Sequence, residues 1–112
     1  MKKYSLLLII NLLSYANLLS QSAIDSALNM MNVDSIHDST KIWELYKAAA
    51  SLSYENPDSA IKLFDIGLRK IESSNQIFET DSIKRKNKNN FRGAYYNMKG
   101  ICFYLLKEKV NV

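Results

Sequence analysis

Glu55-Asn56-Pro57-Asp58-Ser59-Ala60 contains the chain's single proline, and the segments on either side of it have helical spacing. Pro57 steers Asn56 away from the αR region, so a helix arriving from the N-terminal side ends there. Its fixed φ and missing N–H suit the first position of a new helix, and the Asn56 side chain can cap that helix. Asp58 then sits at the positive end of the helix dipole. Upstream, Asp38-Ser39-Thr40 is a start signal, and a helix is predicted from about 41 to 54. Ile42, Leu45, Ala49 and Leu52 form its apolar stripe, and Ala48, Ala49 and Ala50 keep that face narrow. Downstream, Ala60, Leu63, Phe64, Gly67, Leu68 and Ile71 recur at spacings of three and four. Arg69 and Lys70 favour the C-terminal end of that helix, and Ser73-Ser74-Asn75 stops it. A corner this short forces the two helices to pack antiparallel.

Further out, residues 75–90 read as a polar basic loop interrupted by Ile77, Phe78 and Ile83. A third helix is predicted from about 91 to 108, with a start near Asn89 or Asn90 left open. Its Tyr95, Tyr96, Met98, Ile101, Phe103, Tyr104, Leu105 and Leu106 make it apolar almost all round, so it requires neighbours on more than one side. Residues 21–38 are a lead-in or short helix, with Ile24, Leu28 and Met31 at helical spacing. The expected fold class is therefore all-α, built of antiparallel helical hairpins. Three glycines and one proline are too few for a protein of many short strands.

Residues 1–20 have the order of a secretory signal peptide: Lys2 and Lys3, the apolar run of residues 6–13, then small residues such as Ser14, Ala16 and Ser20. Asn11, Ser14 and Asn17 interrupt the apolar stretch, which falls short of the ~20 residues of a spanning helix. An uncleaved anchor or an ordinary buried helix is the alternative. Export implies a periplasmic or secreted bacterial protein. With one cysteine, Cys102, no intrachain disulfide is available, so packing alone must hold the fold. Outside the leader, 13 basic residues face 11 acidic ones, too weak a field to imply nucleic acid. A membrane is expected only through the leader or a downstream segment.

Ala60-x3-Phe64 followed by the small Gly67, together with Tyr96-x2-Lys99-Gly100-x2-Phe103, resembles the tetratricopeptide repeat family. That repeat is a helix–turn–helix of ~34 residues with a W-x2-L-G-x2-Y … A-x3-F … P pattern. The resemblance spans about residues 39–107. It implies a hairpin over 39–74 and, over 91–112, the first helix of a second, incomplete repeat, an α-solenoid segment of about one and a half repeats. Tyr96 and Phe103 would fill space between helices, and Ala60 and Gly100 would allow close approach. The wording around Asp38-Ser39-Thr40-Lys41 and Asn56-Pro57-Asp58-Ser59-Ala60 is similar to exported repeats at the start of bacterial sensor proteins. The pattern departs in places. Leu45-x2-Ala48-Ala49-x2-Leu52 fits only with a turn one residue short, the closing proline is absent, and Ala48 and Gly100 are 52 residues apart.

No residue set points to catalysis. His37, the only histidine, has no acid or cysteine at metal-ligand spacing and reads as a solvated residue. Cys102 lies in an apolar helix without a partner base and reads as a small buried hydrophobe. The basic residues from 84 to 92 read as a solvated loop. Tyr95, Tyr96, Phe103 and Tyr104 read as core. The expected catalytic, cofactor and metal sites are none. The expected function is a non-catalytic protein–protein interaction module, with a protein or peptide partner or self-association through uncovered helix faces. The alternative is the truncated sensory region of a membrane-bound signalling protein. By resemblance, the binding face would include Trp43, Tyr46 and Lys47.

Overall fold

A computed structural model describes residues 21–79 and 87–110 of the chain. Among these residues every regular element is a helix, as the spacing of apolar residues requires. Residues 21–30 are helical and are called α1; α2 is Asp38–Leu52, α3 is Pro57–Ser73 and α4 is Lys88–Val110. The leader and the cations Lys84, Arg85 and Lys86 lie outside the described residues.

The corner forms as its chemistry dictates. Asn56 Oδ1 accepts a hydrogen bond from Ser59 N at 3.3 Å, Pro57 stands in the first turn of α3, and Asp58 follows it. Four residues, 53–56, join α2 to α3, and the stripes of both helices close on one another. Ile42, Leu45, Ala49, Ala60, Phe64 and Ile71 are all fully buried. Leu52, at the frayed end of the α2 stripe, is only half-buried. α1 covers one side of this core with Ile24 and Ala27, and Leu28 and Met31 pack beside them.

The start of α2 differs from expectation. The helix begins at Asp38, about three residues before the predicted point, because the His37 imidazole caps it: Nδ1 accepts from Ser39 N at 3.1 Å. Asp38 is thereby inside the first turn, where it is buried. The cap is completed from far away in sequence. Gln76 Oε1 accepts from the Asp38 backbone N–H at 2.8 Å, and the Ser74 hydroxyl donates to Asp38 Oδ2 at 2.7 Å. Lys70 Nζ lies 3.3 Å from Asp38 Oδ1, and Lys41 Nζ is 3.8 Å away. This cluster fastens the segment after α3 to the start of α2, and Ile77 then anchors the next turn in the apolar core.

α4 starts at Lys88, slightly earlier than expected, and Lys88 N donates to Phe78 O at 2.9 Å. It runs antiparallel to α3. Arg92 pairs with Glu72, the Tyr95 ring abuts Gly67, and Lys99 pairs with Asp65 at 2.6 Å, so partners fall along α3 as positions rise along α4. α3 thus packs against α2 on one side and α4 on the other.

The face that α4 turns inward is not the one the repeat motif implies. Phe91, Tyr95 and Cys102 are buried and Met98 is half-buried, whereas Tyr96 is 58% and Phe103 55% exposed. Gly100 is also exposed, and a Cβ built there would meet nothing within 4 Å. One residue of rotation is about 100° of helix, which carries the whole motif away from the hairpin. The close approach credited to Gly100 occurs at Gly67 instead. A Cβ on Gly67 would overlap the Tyr95 ring, and the Tyr95 hydroxyl donates past that point to Ile42 O at 2.6 Å.

Two outcomes follow from this packing. Gly67→Ala gains about 1 kcal/mol of helix propensity, but overpacking against Tyr95 costs about 1–3 kcal/mol, so its urea midpoint falls. Gly93→Ala, with open space around it, stabilises the fold by up to about 1 kcal/mol, so its urea midpoint rises. Burial alone would raise the Asp38 pKa, but the Ser74 hydrogen bond and the Lys70 and Lys41 charges outweigh it and hold the carboxyl below its ordinary value. A depressed folded-state pKa contributes stability above the unfolded carboxylate range, and that contribution is lost as pH falls through the folded value. Urea melts should therefore show wild-type stability dropping below pH ~4, with a shallower drop in Asp38→Asn.

Candidate interaction surfaces

Three aromatic rings from three helices meet at the centre of the described structure. Phe64 and Tyr95 stand edge to face with centroids 5.6 Å apart, and Tyr46 lies 6.1 Å from Phe64 and 5.6 Å from Tyr95. Such pairs add about 0.5–1.5 kcal/mol beyond area burial. Burial pushes the Tyr95 phenol well above its ordinary pKa, so it stays a neutral donor to Ile42 O. This packing makes Tyr95 a structural residue, as the sequence suggested.

Tyr46 extends the cluster to the surface. Trp43 stacks on it, with centroids 5.5 Å apart and planes 13° from parallel, and Trp43 is 42% exposed. Lys47 Nζ lies 6.0 Å from the Trp43 centroid and 2.9 Å from Glu44 Oε1. The three residues named from sequence are therefore brought together: one ring half-buried, one partly exposed on top of it, and one exposed cation beside both. Lys47 also borders a shallow groove between α1 and α2, lined in addition by Ala27, Met30, Glu44, Ala48 and Ser51.

A second surface is the outward face of α4. Tyr96, Phe103 and Tyr104 are three of the seven large hydrophobic side chains exposed among the described residues. Reading Tyr95, Tyr96, Phe103 and Tyr104 as core is correct for Tyr95 and wrong for the other three, because α3 covers only one side of α4. Lys99, held by Asp65, lies 5.9 Å from the Phe103 centroid.

Part of the basic stretch is neutralised locally. Arg92 makes a two-pronged contact with Glu72, including Nη2 to Oε2 at 2.9 Å, and reaches Glu79 at 3.5 Å. The Arg92 hydrogen bond holds the Glu72 carboxyl below its ordinary value, and the same bond raises the guanidinium further. Lys88 Nζ donates to Glu72 O at 3.3 Å. Both cations thus serve the α3–α4 junction, a role no charge count reveals.

His37 is the α2 cap and Cys102 is fully buried. Among the described residues there is no group of three or more His, Cys, Asp or Glu side chains able to hold a metal ion. Every buried side-chain nitrogen and oxygen described has a hydrogen-bond partner, so none is left aimed at a ligand. No helix of the described residues is long and apolar enough to cross a membrane. No family model matches the chain, and no curated protein or solved structure matches it significantly.

The Tyr95 hydroxyl gives a direct check on the aromatic centre. Tyr95→Phe keeps the ring contacts and removes one buried hydrogen bond, so thermal denaturation should register a loss of about 1 kcal/mol without loss of helicity.

Proposed function

We propose that this chain is a non-catalytic protein–protein interaction module of tetratricopeptide type, exported by its leader, that takes an extended peptide against the Trp43 face of α2. The observation that carries this reading is the Trp43–Tyr46 stack with Lys47 beside it. Tryptophan is the residue most enriched at binding hot spots, and here it is held in one orientation by a ring that is itself fixed in the core. The ring offers an apolar platform and Lys47 offers a cation at its rim. The matching ligand chemistry is an aromatic or large aliphatic side chain next to a carboxylate.

The repeat-like character is supported by helices that pack in sequence order, each long one against the next, with Ala60, Phe64 and Gly67 at the contacts. Export is supported by the Lys2–Lys3 start and the apolar run behind it.

Trp43 is the chain's only tryptophan, so its fluorescence reports on this surface alone. Selection from a displayed random-peptide library should enrich acidic-aromatic sequences whose synthetic forms shift Trp43 emission. Their affinity should fall at least about tenfold in Lys47→Glu. Enrichment that is unchanged on the Trp43→Ala variant would reject this site.

A further inference from the structure

We propose that His37 is a proton-operated latch: protonation of its Nδ1 uncaps α2 and loosens the clasp that ties the start of α2 to the segment after α3. The latch shares no residue with the Trp43 surface, so it does not depend on the peptide reading.

The geometry of the cap admits one form of the ring. Nδ1 accepts from Ser39 N at 3.1 Å and lies 2.8 Å from Ser39 Oγ. An accepting ring nitrogen carries a lone pair, so the proton of the neutral imidazole sits on Nε2. A proton added to Nδ1 turns the acceptor into a donor facing the Ser39 N–H. Ser39 Oγ can accept from it, but the Ser39 N–H is then left without its partner. The common capping side chains, Asn, Asp, Ser and Thr, keep an acceptor oxygen in mild acid. Histidine is the side chain that changes charge between about pH 5 and 8.

The surrounding charges also oppose an imidazolium. Asp38 and Lys41 stand at this end of α2, and Lys70 reaches it from α3. One carboxylate and two ammonium groups sum to +1. The segment after α3 brings the neutral Ser74 and Gln76. Asp34, in the turn before the cap, is exposed, and Asp25 of α1 is hydrogen-bonded to Gln21 on its own helix. A cation at this position further faces the positive end of the α2 dipole.

The clasp begins one residue beyond the cap. Asp38 gives its backbone N–H to Gln76 and its carboxylate to Ser74 and Lys70. Past Gln76, Ile77 is buried, and Phe78 O accepts from Lys88 N at the start of α4. A frayed first turn withdraws Asp38 from these partners, so a proton on His37 is felt at the entry to α4. This response lies above the pH range in which carboxyl groups take up their protons.

His37 is the chain's only histidine, so its titration can be isolated. The test is urea unfolding of the full chain, followed by circular dichroism at pH ~7.5 and ~5.5, for wild type and His37→Asn. The folded cap holds the neutral ring and the unfolded chain takes up the proton freely, so stability falls as pH falls. Between the two conditions the wild-type unfolding constant should rise about fivefold more than that of His37→Asn, the size of a lost N-cap. Contributions from the α-amino group and the carboxylates are common to both chains and cancel. His37→Ser, which also caps without titrating here, should match His37→Asn. In the wild type, the ring nitrogen shifts should show the Nε2–H tautomer at the higher pH, and the Ser39 amide signal should follow the titration of the ring. Wild type and both variants responding alike to pH would overturn the proposal. So would a ring that carries its proton on Nδ1 at the higher pH, or a Ser39 amide that ignores the titration.

Discussion

The missing side chain at Gly67 is the constraint on which the three long helices depend. It opens a gap in the α3 surface just large enough for the Tyr95 ring, and through that gap the Tyr95 hydroxyl reaches the Ile42 carbonyl of α2. One residue of α4 therefore touches both members of the hairpin. α2 and α4 otherwise make little direct contact, since α3 stands in their way. The phenol suits this place because it combines a large apolar body with one polar end that has a partner. Phe64 and Tyr46 close around the ring and turn a single contact into a packed centre shared by three helices.

Polar pairs set the register that this apolar centre alone leaves loose. Asp38, Lys41, Lys70, Ser74 and Gln76 lock the open end of the hairpin, where two helices joined only at the far corner would otherwise splay. Burying Asp38 is tolerable because every neighbour supplies a donor or a positive charge. Glu72 with Arg92, and Asp65 with Lys99, do the same along α3 and α4 on the wetter side. A chain of this size, with one cysteine and a small apolar core, relies on such pairs to choose one arrangement among several that bury similar area.

The same architecture explains where unsatisfied apolar surface remains. α3 is covered on two sides and exposes none of its large apolar residues. α2 and α4 are each covered incompletely, so Trp43 on one and Tyr96, Phe103 and Tyr104 on the other reach solvent. Trp43, held by its stack on Tyr46, loses little entropy when a partner covers it. The Trp43 surface and the exposed face of α4 both follow from that single asymmetry: the middle helix is saturated and its neighbours are not.

The sequence by itself determined the elements that local chemistry controls. Asn56 and Pro57 mark a corner through backbone sterics and capping, and the three-and-four spacing of Ala60, Phe64, Gly67 and Ile71 names the buried face of α3, because α3 is polar elsewhere. Trp43, Tyr46 and Lys47 were grouped by the family resemblance alone, and the structure places them as neighbours on one helix turn. Other features belong to tertiary structure alone. His37 rather than Asp38 caps α2, because Gln76 and Ser74 arrive from after α3 to hold the Asp38 backbone and carboxylate. The inward face of α4 could not be read from periodicity, since Tyr95 and Tyr96 are equally apolar and adjacent. It was set by the one notch α3 offers, at Gly67, which accepts Tyr95 and turns Tyr96, Gly100 and Phe103 to the outside.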